Sequence, residues 1–186
     1  MKRYNVFSIS KADITTLRQT VAVEYNYTYG ELSKKGVAQL NNHIPKYMNV
    51  HTFYDLGCGD GKLLIHMSKL NKSIKKLVGV EIVPQRAIEA DKAVMKNALQ
   101  NKISIIKDDL CNVNYSDASV IYISNLCFTD YLNHIIGTKL GKEVKPNTVI
   151  FASKPIYLTR SHQIKMVKVN QSWGDNSDLL MMTVYD

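Results

Sequence analysis

A glycine-rich turn between two carboxylates is the part of the sequence best suited to chemistry. The stretch DLGCGDG places Gly57, Gly59 and Gly61 on alternate positions, with Asp55 ahead of the first glycine and Asp60 ahead of the last. This spacing differs from the G-x-G-x-x-G turn that holds a dinucleotide pyrophosphate. A diphosphate bound here would lie against two carboxylates, and like charges repel strongly where solvent is scarce. The turn is therefore predicted to bind a ligand that has cationic groups and no phosphate.

Further acidic positions follow at intervals that suit the same site. Glu81 ends the run GVE, where an acidic side chain can accept hydrogen bonds from ribose hydroxyls. Asp109 and Leu110 follow the run KISII, where they offer a carboxylate to an adenine amino group and an apolar face to its ring. S-adenosylmethionine carries an ammonium, a sulfonium, a ribose and an adenine but no phosphate. We therefore expect it to be the cofactor, with no metal ion in the site.

The elements that must position these residues alternate between strand and helix. Apolar runs predict five strands, at residues 52–56, 76–82, 102–109, 118–125 and 147–155. Helical periodicity predicts helices between them, at residues 62–70, 84–101 and 130–144. Two further β-rich runs, 162–173 and 178–186, are joined by the turn-like GDNSD. The expected fold class is α/β: a seven-stranded, mostly parallel sheet with helices on both faces and a C-terminal antiparallel strand pair.

Composition sets broad limits on this interpretation. The chain has 186 residues, 45% of them hydrophobic and 22% charged, as expected of one soluble domain. No apolar run approaches the roughly 20 residues that span a bilayer, so we expect no membrane association. The N-terminus lacks the apolar stretch of a secretory signal, which favours an intracellular location. The net charge of +8 comes mostly from dispersed lysines, a pattern more typical of a solvated surface than of a nucleic-acid-binding stripe.

Two families share motifs with this sequence. DLGCGDG and GVE resemble the first two motifs of the class I S-adenosylmethionine-dependent methyltransferases, which implies their Rossmann-like fold. TYGEL before the first strand, SNLCF after the fourth, SKP after the fifth and QSW at the end of the sixth resemble, in that order, the Dot-one (disruptor of telomeric silencing) family. That family consists of non-SET histone lysine methyltransferases. The resemblance implies methylation of a histone lysine and, if so, a nuclear or chromatin location; otherwise a cytoplasmic one is expected.

The Dot-one resemblance also implies roles for five residues. It places Tyr29 and Glu31 on a loop that closes over the methionine end of the cofactor. It places Asn125 and Phe128 along a narrow channel for the substrate lysine, with Asn125 also against the cofactor and Trp173 as another wall. Tyr29, Asn125, Phe128 and Trp173 are thus the implied catalytic residues. Burial in such a channel would favour the neutral amine that methyl transfer requires.

The implied organisation is an N-terminal segment, residues 1–32, that carries the closing loop, followed by a catalytic domain, residues 33–186. The sequence departs from the Dot-one pattern in several places. Ser124 precedes Asn125 where the family has two asparagines, and leucines stand where it has a channel tyrosine. The helical extension and basic tail that bind nucleosomes have no counterpart in this sequence. A target other than the nucleosome therefore stays open, as does the number of methyl groups transferred.

Two other functions remain open at this point. One is a non-catalytic, cofactor-binding regulatory module whose basic surface binds nucleic acid or a protein partner. The other is methylation of a non-histone protein, an RNA or a small molecule, since SNLCF is faintly similar to the Asn-Pro-Pro-Tyr motif of amino-methylating enzymes but lacks its prolines. The expected partner is a basic protein, histone or nucleosome, with surface lysines contacting DNA. The sequence gives no oligomeric state.

Overall fold

One seven-stranded sheet organises this computed structural model, which describes residues 31–172 and 174–186. The strands, in chain order, are β1 (Thr52–Leu56), β2 (Lys76–Val80), β3 (Ile103–Ile106), β4 (Val120–Ile123), β5 (Val149–Ala152), β6 (His162–Gln171) and β7 (Gly174–Val184). Their spatial order is β3-β2-β1-β4-β5-β7-β6. The first five strands pair in parallel, and β7 runs antiparallel to both β5 and β6. The predicted sheet, including its antiparallel end, is confirmed.

Helices lie on both faces of this sheet. They are α1 (Lys34–His43), α2 (Lys62–Leu70), α3 (Pro84–Lys96) and α4 (Asp130–Glu143). Successive residues of β1 face opposite sides, as a strand requires: Phe53 belongs to one hydrophobic cluster and Tyr54 to the other. The first cluster includes apolar side chains from α1, α2 and α3, and the second includes Ile136 and Leu140 of α4.

The parallel register brings the ends of the first three strands to one edge. Leu56 of β1 pairs with Val80 of β2, and Val80 pairs with Ile106 of β3. The N–H of Glu81 continues the ladder by donating to the Ile106 carbonyl at 3.0 Å. Residues that follow these strands therefore share the carboxyl edge, where open α/β sheets bind their ligands.

Several predicted boundaries were wrong, two of them by four residues or more. Helix α3 ends at Lys96 and not at residue 101, because Asn97 caps it and Ala98 takes a left-handed φ of 53°. The stretch GDNSD belongs to β7 and is not the hairpin turn. Within it Asp178 pairs with Lys168 of β6, and their side chains form an ion pair at 2.6 Å across the ladder.

Helix α1 was not predicted from the sequence. It begins after Ser33, whose side chain accepts a hydrogen bond from the Gly36 N–H, and it buries Val37 and Leu40 against the sheet. The Ser33 N–H also donates to the Asn170 carbonyl at 3.1 Å, which ties the helix start to the end of β6. Across residues 31–172 and 174–186 no helix is long and apolar enough to cross a membrane.

Candidate active site

The glycine turn has the backbone shape that its sequence requires. Gly57, Gly59 and Gly61 have φ values of 82°, 54° and 75°, a region that side chains other than glycine rarely adopt. The N–H groups of Gly57 and Cys58 both donate to the Val80 carbonyl, at 2.8 and 3.0 Å. The turn is therefore fastened to the end of β2 before it enters α2.

The turn is closely packed on the side that faces β2 and open on the opposite side. A Cβ on Gly79 of β2 would lie 2.5 Å from the Cys58 sulfur, so glycine there allows the turn to sit directly on the sheet. A Cβ on Gly57 would meet no atom of the described residues within 4 Å. The space over Gly57 belongs to a cavity whose lining includes Asp55, Asp60 and Glu31. This acidic cavity fits a cationic ligand such as the methionine end of S-adenosylmethionine.

Glu81 holds the turn in place. Its side chain is 5% exposed, and its two carboxylate oxygens accept hydrogen bonds from the Gly59 and Val83 N–H groups, both at 2.9 Å. A carboxylate has acceptor capacity beyond two hydrogen bonds. The expected contact of Glu81 with ribose hydroxyls stays a prediction alongside this supporting role.

Asp55 is the most strongly perturbed acid of the site. It is 3% exposed in β1. Burial raises its pKa to about 8, and the neighbouring carboxylates of Glu81, Asp60 and Glu31 add to the rise. A bound cation would reverse the effect of these neighbours, because an opposite charge favours the ionised carboxyl group. Asp55 is thus suited to hold a ligand ammonium.

Glu31 lies at the rim of the cavity. The Ser172 N–H donates to the Glu31 carbonyl at 2.7 Å, and Leu32 bridges to Gln171 in antiparallel fashion. Lys62 joins the rim through ion pairs with Asp60 at 2.7 Å and Glu31 at 3.3 Å. The end of β6 therefore positions residues 31–33, which directly precede α1. Contact of Glu31 with the cofactor stays a prediction.

Asp109 and Leu110 follow β3 at the same edge of the sheet, beyond Glu81. An Asp109 carboxylate oxygen accepts the Cys111 N–H at 2.7 Å, which shapes the loop. The half-buried Leu110 packs against the second hydrophobic cluster, and its carbonyl accepts the Tyr115 hydroxyl at 2.7 Å. Both residues lie on the β3 side of the turn, and their adenine contacts stay predictions.

Asn125 serves as a brace between three elements. It is fully buried, and its amide nitrogen donates to the Asn133 side-chain oxygen at 2.7 Å and to the Lys154 carbonyl at 3.1 Å. Its amide oxygen accepts the Lys154 N–H at 2.9 Å. These bonds join the loop after β4, the loop after β5 and α4. No local sequence signal indicates this brace, and the predicted contacts of Asn125 with substrate and cofactor remain predictions.

The other implied channel residues are only partly described. Phe128 is half-buried, packs on the second hydrophobic cluster and donates its N–H to the Asn125 carbonyl at 3.2 Å. Tyr29 and Trp173 lie outside the described residues. Sequence reasoning missed Tyr122, a buried residue of β4 that lines the cavity. Its place beside Asp55 depends on the β1–β4 register, which local sequence patterns do not encode.

The family profile of the ANTKMT methyltransferase domain matches residues 55–154. This stretch spans more than half of the chain, from Asp55 of the turn to Lys154, which Asn125 braces. The chain belongs to the ANTKMT methyltransferase domain family. Membership confirms the predicted enzyme class and cofactor as those of an S-adenosylmethionine-dependent methyltransferase. Family membership does not support the narrower Dot-one assignment.

A relative of this ANTKMT-family chain agrees with its assignment as a methyltransferase. A protein-lysine N-methyltransferase of Saccharolobus islandicus (strain REY15A) is 39% identical over 105 residues, which are 56% of this chain and 63% of that relative. The match therefore spans less than two thirds of the relative's length.

Solved structures share the fold of the ANTKMT-family chain. An RNA methyltransferase from Salinibacter ruber in complex with S-adenosyl-L-homocysteine has a TM-score of 0.59 and 20% identity, covering 73% of this chain and 82% of that one. A putative S-adenosylmethionine-dependent methyltransferase from Methanococcus maripaludis has a TM-score of 0.63 and 12% identity, covering 100% and 98%. At such identities the likeness concerns the fold alone.

Proposed function

We propose that this ANTKMT-family chain is a protein-lysine N-methyltransferase. The observation that carries the proposal is the 39% identity to the Saccharolobus islandicus protein-lysine N-methyltransferase over 105 residues. The acidic cavity beside the glycine turn supports it, because the cavity suits both a cationic cofactor and an approaching lysine.

The chain's own groups have separable tasks in this proposal. When bound, S-adenosylmethionine supplies an electrophilic methyl group: the acceptor lone pair forms the N–C bond, the C–S bond breaks, and its electron pair stays on a now neutral sulfur. Asp55 holds the ligand ammonium, and the bare backbone of Gly57 leaves room for the ligand. Glu81 keeps the turn in its left-handed shape. Asn125 keeps the loops after β4 and β5 together at the acceptor side.

The acceptor must lose a proton before it can react. A free lysine has a pKa near 10.4, so only about one in a few thousand is neutral at pH 7, equivalent to about 4 to 5 kcal/mol. Burial next to a sulfonium disfavours the ammonium form. The rim carboxylates of Glu31 and Asp60 pair with Lys62, and the charged substrate lysine exchanges with that side chain before it loses its proton to solvent.

A histone is the narrower substrate that we propose, by way of the Dot-one resemblance. A chain of net charge +8 repels a basic protein in isolation, but it attracts the DNA on which a histone sits. We therefore propose an intracellular enzyme whose surface lysines contact DNA. On this account methylation of nucleosomes falls more steeply with added salt than methylation of free histones, because DNA contacts are salt-sensitive.

A labelled-methyl transfer assay tests the proposal. The acceptors are nucleosomes, free core histones, a basic non-histone protein and RNA, each offered with labelled S-adenosylmethionine. The control variant is Asp55→Asn, which removes the carboxylate that holds the ligand ammonium. Label on protein with the wild type, and much less with the variant, supports methylation of protein by this site. Label on RNA alone would favour a nucleic-acid methyltransferase, and cofactor binding without any transfer would favour a regulatory module.

A further inference from the structure

Three hydroxyl groups gather where β4 and β5 end. We call them the hydroxyl cluster: Tyr122 in β4, Ser124 just after it and Ser153 just after β5. Tyr122 is 3% exposed, and within the described residues its oxygen makes no hydrogen bond; the same holds for the Ser153 hydroxyl. Ser124 and Ser153 lie near enough to lower the pKa of Tyr122, but neither meets the geometry of a hydrogen bond to its oxygen.

The unpaired hydroxyls of Tyr122 and Ser153 are unusual in a protein interior. Most buried polar side-chain atoms have a hydrogen-bond partner, and leaving one without costs about 1 to 3 kcal/mol. Burial and the nearby Asp55 raise the pKa of Tyr122, so its hydroxyl stays protonated at neutral pH. A neutral hydroxyl that lines a ligand cavity has lone pairs ready to accept hydrogen bonds from a ligand.

The sheet register places the hydroxyl cluster on one particular side of the glycine turn. Tyr122 pairs with Asp55 of β1 on one side and with Phe151 of β5 on the other. Glu81 and Asp109, the acids expected to contact the ribose and the adenine, follow β2 and β3 across β1 from this cluster. If the nucleoside of the cofactor lies on the β2–β3 side, the β4–β5 side is left for the substrate lysine.

We infer that the hydroxyl cluster, with Tyr122 as its central member, accepts N–H hydrogen bonds from the acceptor lysine amine. This inference rests on the proposed function. A neutral primary amine has two N–H donors and one lone pair. When hydroxyl oxygens accept the N–H groups, the lone pair is left to face the methyl group, and this orientation is a known source of rate enhancement. Neutral hydroxyl oxygens also bind the unreactive lysine ammonium less tightly than a carboxylate would.

The test compares Tyr122→Phe, which removes a single oxygen, with the control Tyr54→Phe. The Tyr54 hydroxyl is also shielded but donates to an Asp117 carboxylate oxygen at 2.8 Å, outside the cavity. Three quantities are measured: kcat for a protein substrate, the Kd of S-adenosylhomocysteine, and the affinity of its complex for a lysine peptide relative to a norleucine peptide. Ser153→Ala is a second variant of the same cluster.

For Tyr122→Phe we expect kcat to fall about tenfold or more and the preference for lysine over norleucine to fall about fivefold, the effect of one lost hydrogen bond. The Kd of S-adenosylhomocysteine should change less than about twofold, and Tyr54→Phe should leave all three quantities near wild type. A weaker cofactor affinity with unchanged lysine preference would overturn the inference and indicate that the Tyr122 hydroxyl contacts the cofactor. Unchanged values throughout would overturn it as well. Wild-type protein that methylates no lysine would instead refute the proposed function.

Discussion

The carboxylate of Glu81 accepts the backbone N–H of Gly59 at 2.9 Å, so the acidic residue after β2 supports the glycine turn that follows β1. Its second oxygen accepts the Val83 N–H at the start of α3. One side chain thus fixes two loops that border the cofactor site. The Glu81 carboxylate is therefore part of the scaffold before any ligand arrives.

Replacing Glu81 by Gln should damage both the fold and the site. The amide presents N–H donors where two backbone N–H groups need acceptors, so one of them loses its partner at a cost of about 1 to 3 kcal/mol. We expect a lower urea midpoint and at least about tenfold weaker S-adenosylhomocysteine binding by calorimetry. The exposed Glu89→Gln is the matched control and should change neither. Wild-type affinity in Glu81→Gln would show that the turn does not depend on this carboxylate.

Cofactor uptake should release a proton from Asp55. In the free protein its pKa is raised to about 8, so the acid is largely protonated at pH 7. A bound ammonium favours the ionised form and lowers the pKa, so affinity should strengthen as pH rises towards about 8 and level off above it. Calorimetry in buffers of different ionisation enthalpy measures the protons released. The same proton release in Asp55→Asn as in the wild type would place its source elsewhere.

The Gly57→Ala variant should separate backbone strain from lost ligand space. Alanine at a φ of 82° costs about 1 to 2 kcal/mol, although its Cβ meets no described atom within 4 Å. Because that Cβ occupies the space over the turn, cofactor affinity should fall by more than stability does. Asn147→Ala supplies the control, since Asn147 has a φ of 68° at an exposed site near the start of β5. Equal losses of cofactor affinity in both variants would argue against cofactor binding in the space over Gly57.

Asn125→Ala should unfold at a lower denaturant concentration than the wild type. The change leaves the Lys154 N–H and the Asn133 side chain without their buried partner, a loss of about 2 kcal/mol or more. Urea unfolding measures it, and Asn133→Ala, which breaks the same brace from α4, should lose part of the same energy. If Asn125→Ala kept full stability while losing activity, the residue would act in the channel and not as a brace.

The fold was largely predictable because its signals are local. Helix α2 was predicted at residues 62–70, and the structure has it at Lys62–Leu70, because the glycine turn marks its start and its apolar side chains repeat on one face. Strands β1 to β5 were recognisable as short apolar runs, although β2 to β5 are shorter than those runs. The residues trimmed from their carboxyl ends, among them Glu81 and Ser153, enter the loops of the site.

What was missed depends on contacts between distant segments. The sequence marks Asn125 as a polar residue after a strand, but its partner Lys154 is 29 positions away, and only the β4–β5 pairing brings them together. Tyr122 looks like an ordinary strand residue until the register places it beside Asp55. Helix α1 is capped by Ser33, a signal present in the sequence, yet its apolar face is meaningful only once β6 supplies Val167 and Val169 to receive it.

Site-resolved mass spectrometry tests the central claim most directly. Basic proteins are incubated with the enzyme and deuterated S-adenosylmethionine, beside a matched set whose lysine amines have been blocked as amides by acetylation. We predict deuterated methyl groups on lysine ε-nitrogens of the unblocked proteins and none on the blocked set. Label on other residues, or no protein label from an enzyme that binds S-adenosylhomocysteine, would contradict the assignment as a protein-lysine methyltransferase.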